Sequence, residues 1–261
     1  MSDPSDHLIV QKNGPIATLL INRAEKRNPI SYAMWSALPG LLEDVANDDA
    51  IKVLIVRGAG DVAFSAGADI GEFDRYRADS AGARVYNEAT HVAERAMTNF
   101  PKPAIAMIHG FCIGGGAELA LGCDFRFADT NARFGITPAR LGIVYSLTAT
   151  RQLTDLAGPA VARHILFSGL HLEAQRAYEV GIFDRLEAPE ELEAKTLEFA
   201  ELLCSRSQYS IRSSKQILQR IAAGQLEDDA YTLKLRNDSF DGEDYEEGVR
   251  AFLAKRPPVF K

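Results

Sequence analysis

Two short apolar-rich runs, HLIVQK (7–12) and IATLLIN (16–22), flank Asn13-Gly14. That dipeptide tolerates positive φ at both central turn positions, so the chain is expected to open with a β-hairpin. Ser31 is placed to cap a helix over YAMWSALPGLLEDVAND, with an interruption expected near Pro39-Gly40. IKVLIV (51–56) is a continuous apolar run of the kind a strand buried on both faces requires. Residues 80–99 return to helical spacing, with Ala83, Val85, Tyr86, Ala89, Val92, Ala93 and Ala96 as the apolar stripe. Pro101 and Pro103 close that helix, and AIAMIH (104–109) reads as a second buried strand. A short helix (117–121), a third strand CDFRFA (123–128) and a helix from Ser146 to about Gly158 follow, and after IFDRL (182–186) the pattern stays helical. After about residue 200 the pattern is helical only, which predicts a helical appendage. Strands alternating with helices define an α/β fold, and the opening hairpin excludes a purely parallel sheet.

Composition narrows the class of function. Of 261 residues, 46% are hydrophobic and 25% charged, the balance of a globular domain, and the formal net charge is −7. An acidic chain without basic clusters lacks the footprint of a nucleic-acid or anionic-membrane surface. No run approaches the ~20 apolar residues of a membrane span. The first ten residues, MSDPSDHLIV, do not have the form of a secretory signal. Three widely spaced cysteines, Cys112, Cys123 and Cys204, with no C-x-x-C pair, predict reduced thiols in a cytoplasmic protein. Cys112 is expected to be a small buried hydrophobe. His91 is expected to be an ordinary helix residue, and no metal-ligand spacing is found. Trp35, Phe100 and Phe134 are assigned to the core, and His164 and His171 to the surface or to packing.

Gly58, Gly60 and Ala63 formally match the dinucleotide fingerprint, but no helix begins after them to hold a pyrophosphate, so the match is set aside. Two other segments carry chemistry. The first is FSAGADI (64–70), small residues between a buried strand and a polar stretch. The second is HGFCIGGGAELAL (109–121), in which Gly114, Gly115 and Gly116 stand between a strand and a helix. Glycines there let a ligand lie directly on the backbone, and a helix N-terminus adds unsatisfied N–H donors. Together the two loops can aim two N–H groups at one oxygen, an oxyanion hole for charge that develops on a carbonyl.

At these residues the chain resembles the crotonase superfamily, the enoyl-CoA hydratase/isomerase family. FSAGADI and HGFCIGGGAELALGCDFRFAD are similar to its two oxyanion segments, INRAEKRNPIS to its CoA-binding turn and EDYEEGVRAFLAKRPPVF to its closing helix. The resemblance implies a spiral of ββα units over residues 1–200, carrying the site, and a helical C-terminal region over 201–261 that packs trimers, often paired into hexamers. It implies an acyl-CoA thioester as substrate, with no cofactor beyond that CoA moiety. The thioester oxygen would accept from the N–H groups of Ala68 and Gly115. Lys26 would hold CoA phosphates, and the backbone of Ala66, Gly67, Asp69 and Ile70 would frame adenine and pantetheine. Phe252 and Lys255 would reach a neighbouring subunit's CoA.

Hydratases of this family use two glutamates. Glu118 matches the first, and the second falls at Pro138, inside a run from Thr130 to Thr154 that contains no Asp or Glu. A paired-acid mechanism needs both groups within reach of one water. The segment TPARLGIVY is similar instead to the methylmalonyl-CoA decarboxylase branch, which has a His where this chain has Ala68. Three readings therefore stay open. One is a hydratase-like lyase in which Tyr145 or a bound water replaces the lost acid. Another is a decarboxylase, with Tyr145 or Arg140 handling the carboxylate. The third is a CoA-ester binding protein with little catalysis.

Overall fold

The protein is described here by a computed structural model covering residues 7–260, so residues 1–6, part of the segment read for a targeting signal, lie outside the described residues. β1 (Leu8–Asn13) and β2 (Ile16–Ile21) form the expected antiparallel hairpin, with Gly14 at φ 56° in its turn. β3 (Val53–Gly58), β5 (Ala104–Ile108), β7 (Phe125–Asp129) and β10 (Arg185–Glu187) extend it in parallel, giving the six-stranded order β1-β2-β3-β5-β7-β10. A second sheet, absent from the sequence expectation, has the order β4-β6-β8-β9. Its strands β4 (Ala63–Ser65), β6 (Phe111–Ile113), β8 (Arg133–Gly135) and β9 (Leu172–Glu173) are two or three residues long, too short to show a period of two.

The chain places one strand in the large sheet and the next in the small sheet, then returns through a helix. β3 and β4 precede α2 (Phe73–Tyr76) and α3 (Ser80–Thr98), β5 and β6 precede α4 (Gly115–Leu121), β7 and β8 precede α5 (Leu147–Ser168), and α6 (Ala174–Glu179) stands between β9 and β10. This is a spiral of ββα turns, and parallel pairing in both sheets demands those crossovers. β3 and β5 are apolar on both faces because each face has its own core. Leu54, Val56, Ala104, Ala106 and Ile108 face the helices of the spiral, while Val53, Ile55, Ile105 and Met107 face Leu192 and Ala200 of α7 (Leu192–Cys204).

Several boundaries differ from the sequence expectation. α1 (Tyr32–Asn47) runs uninterrupted through Pro39. Proline costs an interior helix about 3 kcal/mol, less than α1 gains by burying Met34, Trp35, Leu38, Leu42 and Val45 at ~1.5–3 kcal/mol per large apolar side chain. α5 continues beyond Gly158, whose φ of 75° kinks it. The buried stripe of α3 passes through Tyr86, Thr90, Ala93, Glu94 and Met97, leaving Val85 and Val92 exposed. Trp35, Phe100 and Phe134 are buried as expected. Cys112 is fully buried, which pushes its thiol far up and keeps it unreactive. Among the described residues no helix is long and apolar enough to cross a membrane.

After β10 the chain is helical: α7, α8 (Gln208–Ala222), α9 (Ala230–Asp238) and α10 (Glu243–Leu253). Buried lysines bolt this region to the spiral. Lys215 Nζ donates to Asp124 Oδ2 at 2.7 Å and to the Lys102 carbonyl at 2.9 Å. Lys102 Nζ in turn donates to the Val45 and Asp48 carbonyls at the end of α1. Lys215→Met keeps the apolar stem and removes both bonds, so it should cost about 1–3 kcal/mol of unfolding free energy, read as a lower urea midpoint with unchanged slope.

Candidate active site

The site forms where two turns of the spiral meet backbone to backbone. Residues 65–68 leave β4 along Ile30, with Ile30 N–H donating to Gly67 O at 2.8 Å and Asp69 N–H to Ile30 O at 3.0 Å. A parallel bridge of this pattern turns the intervening Ala68 N–H to the other side. Gly67 N–H is held by Ser65 Oγ at 3.2 Å. Opposite lies the start of α4. Gly114, at φ 52° and ψ −119°, makes a turn that other residues resist, and Gly115 is the first helical residue, whose N–H has no partner within the helix. A Cβ on Gly116 would sit 2.6 Å from Ser65 Cβ, and one on Gly115 2.9 Å from Trp35 Cζ2. Glycine at both positions is therefore a condition of contact. That same point in front of Gly115 is 3.5 Å from Ala68 N and 3.7 Å from Glu118 Oε2, so both N–H donors and a carboxyl border one space. Such a pair suits an oxygen that gains negative charge.

A cavity of about 880 Å³ opens from this point. Its wall includes Ala66, Gly67, Ala68, Ile70, Gly114, Gly115, Glu118, Pro138 and Tyr145, all anticipated from the sequence. Pro138 heads a short 3-10 turn (Pro138–Arg140), and Leu141, Ile143 and Val144 line the cavity beyond it while remaining exposed. Tyr145 donates from its hydroxyl to Gly114 O at 2.9 Å, which ties this loop to the N-terminus of α4.

The structure also supplies a carboxylate that sequence reasoning missed. Glu94 projects from α3 into the cavity, 3% exposed, and its Oε1 accepts from Ser146 Oγ at 2.8 Å. Its Oε2 is buried without a hydrogen bond, and His91 Nδ1 lies 4.0 Å away. Ser146 also caps α5 by accepting from Ala149 N–H, so one hydroxyl fixes a helix end and the carboxyl together. The available signal was a charge on the buried stripe of an amphipathic helix. Burial raises the pKa of Glu94, against the Ser146 hydroxyl and the His91 charge. Burial first, and the Glu94 charge second, push Glu118 up to about 8, while Arg77 and the Tyr145 hydroxyl pull it down. Burial, followed by the Glu118 and Glu94 charges, keeps the Tyr145 phenol protonated.

Other sequence candidates lie outside the cavity wall. Lys26 is exposed at the end of a 3-10 turn (Ala24–Lys26). Asp69 pairs with Arg23 at 2.8 Å and caps the following 3-10 turn. Arg140 lays its stem against Gly169, at the C-terminal end of α5. Phe252 is 82% exposed on α10, and Lys255, at φ 54°, follows that helix. His91, expected to be an ordinary helix residue, lines the cavity. Among the described residues no group of three or more His, Cys, Asp or Glu could hold a metal ion.

A ββα spiral in which a glycine-headed helix meets a strand end over an acidic cavity defines a crotonase-type protein. The chain belongs to the enoyl-CoA hydratase/isomerase family, whose model matches residues 11–261. It is 33% identical to a crotonyl-CoA hydratase from Syntrophomonas wolfei over 98% of both chains. It is 32% identical to a methylmalonyl-CoA decarboxylase from Escherichia coli over 94% of both. An enoyl-CoA hydratase/isomerase family protein from Hyphomonas neptunium superposes with a TM-score of 0.95 at 34% identity, covering 100% of this chain and 99% of its own.

The raised pKa of Glu118 has a stability consequence. A carboxyl that binds its proton more tightly folded than unfolded contributes stability below its ordinary pKa of 4.5, and that contribution is lost as pH rises toward 8. Glu118→Gln, a neutral group of the same shape, should therefore raise the Tm above about pH 8 and leave it nearly unchanged near pH 4.5, as scanning calorimetry at the two pH values would record.

Proposed function

We propose that the protein hydrates a 2-enoyl-CoA thioester, and the observation that carries this reading is the pair of carboxyls, Glu118 and Glu94, in the wall of one cavity beside the N–H groups of Ala68 and Gly115. The thioester oxygen lies in front of Gly115 and accepts from the Ala68 and Gly115 N–H groups. Negative charge that reaches that oxygen as water adds to the β-carbon is stabilised there, an interaction stronger in the transition state than in the ground state. The two acids hold the water between them. Mutual repulsion keeps one proton on the pair, so the ionised member takes a proton from the water and the other delivers one to the α-carbon. In this reading Glu94, arriving from α3, does the work of the carboxylate that Pro138 displaces. Tyr145, its hydroxyl bonded to Gly114 O, holds the helix end in place.

The family relationship supports an acyl-CoA substrate, as does the name of the crotonyl-CoA hydratase relative. CoA would run over the Ala66–Ile70 backbone toward Lys26, and no further cofactor is called for. Exposed Phe252 and Lys255, with the helical region after residue 200, would serve a neighbouring copy in a trimer or hexamer working in the cytosol. Loss of CO2 from a malonyl-type thioester is the second reading. It needs the same two N–H groups and no base, and the relative named as a methylmalonyl-CoA decarboxylase supports it.

Crotonyl-CoA mixed with the enzyme should lose the absorbance of its conjugated thioester, and Glu94→Gln should lower kcat/KM by about 100-fold or more. Because the Glu94 charge raises the pKa of Glu118, the same substitution should move the alkaline limb of the pH profile to lower pH. A full rate in Glu94→Gln would remove this residue from the mechanism. Release of CO2 from methylmalonyl-CoA, with crotonyl-CoA untouched, would establish the second reading instead.

A further inference from the structure

The cavity contains a cation that hydration of a simple enoyl chain does not use. Arg77 follows α2 and lines the same space as Ala68, Gly115 and Glu118. Its guanidinium carbon lies 4.0 Å from the centre of the Tyr86 ring and 4.8 Å from that of Phe73, so two aromatic rings hold the cation in place. The polar edge is poorly matched by the protein. Nε is buried with no hydrogen bond, Nη2 makes only a 3.5 Å contact to Asn87 Oδ1, and among the described residues no carboxylate lies within ion-pair distance of the group. The group is half-buried on the cavity wall, and its donors have capacity that the protein itself does not use. A planar fork of N–H donors held by two rings is shaped for the two oxygens of a carboxylate.

We propose that Arg77 is the recognition group for a second carboxylate on the acyl chain, so that the preferred substrates are CoA thioesters of dicarboxylic acids, with the thioester at Ala68 and Gly115 and the free carboxylate on the Arg77 guanidinium. The inference rests on the reading of the cavity as an acyl-CoA site. It adds which acyl groups the cavity selects. The substrate's carboxylate would accept from the donors that the protein leaves unmatched, whereas a neutral chain of the same length would set its terminal methyl against them. A site built to pair a polar group rejects the analogue that lacks it more strongly than an apolar pocket rejects an extra methylene.

The test compares isosteric esters on the full-length enzyme. Glutaconyl-CoA and 2-pentenoyl-CoA, which differ in a carboxylate for a methyl, are assayed for turnover, and the saturated pair glutaryl-CoA and pentanoyl-CoA for binding by calorimetry. The wild type should favour the carboxylated member of each pair by about 30-fold or more. Arg77→Met should abolish that preference and Arg77→Lys should retain part of it, whatever either variant does to the neutral ester. Equal affinity of the wild type for glutaryl-CoA and pentanoyl-CoA overturns the proposal. So does an Arg77→Met variant that loses affinity equally for both esters and for CoA itself, which would assign Arg77 to a CoA phosphate. If every enoyl ester resists hydration while the Arg77-dependent binding preference stands, hydration fails and this proposal survives. If 2-pentenoyl-CoA is hydrated and no preference is found, only this proposal fails.

Discussion

Everything at the site depends on how closely the first turn of α4 approaches the end of β4. Ser65 fills the position where Gly116 would carry a side chain, and Gly114 and Gly115 lie against Gly67 and Ala68 with the Trp35 ring packed beside them. The two segments belong to successive turns of the spiral, and they meet because β4 and β6 are neighbours in the small sheet. That sheet is slight in extent, yet it converts two strand ends that are far apart in the chain into one lip of N–H groups. The large sheet gives the molecule its cores. The small sheet gives it a place for chemistry.

Against this backbone the side chains carry an electrostatic tension. Two carboxyls and a guanidinium share one cavity without ion-pairing among themselves, and at least one atom of Glu94 and one of Arg77 go without any hydrogen bond. A fold selected only for stability would neutralise these groups or replace them with apolar ones. Here they are held apart by ties that leave their reactive edges free: Ser146 on one oxygen of Glu94, Tyr145 beside Glu118, and the rings of Tyr86 and Phe73 against Arg77.

Much of this is legible in the sequence. The hairpin, the doubly buried strands and the two glycine segments are local patterns, and the residues anticipated at Ala68, Gly115, Glu118 and Tyr145 line one cavity. What escaped was set by distance in the chain. Strands of two or three residues have no readable period, and the small sheet is recognisable only through its partners. Pro39 looked like a break because propensity is local, whereas the burial that overrides it is tertiary. Glu94 and Arg77 were passed over because a charge in or beside an amphipathic helix is ordinarily solvated. Only the packing of α3 against its neighbours turns Glu94 inward.

The placement of Glu94 also separates two demands that a single loop would otherwise have to meet. An acid carried by the 137–145 segment would tie catalytic geometry to the shape of the acyl pocket, so any change in one would disturb the other. With the acid on a helix and pinned by the cap of α5, residues such as Leu141, Ile143 and Val144 become adjustable. Substitutions there can reshape what the cavity admits while Glu94 and Glu118 stay on their helices. For protein engineering this loop is the natural place to vary, and α3 is the place to leave alone.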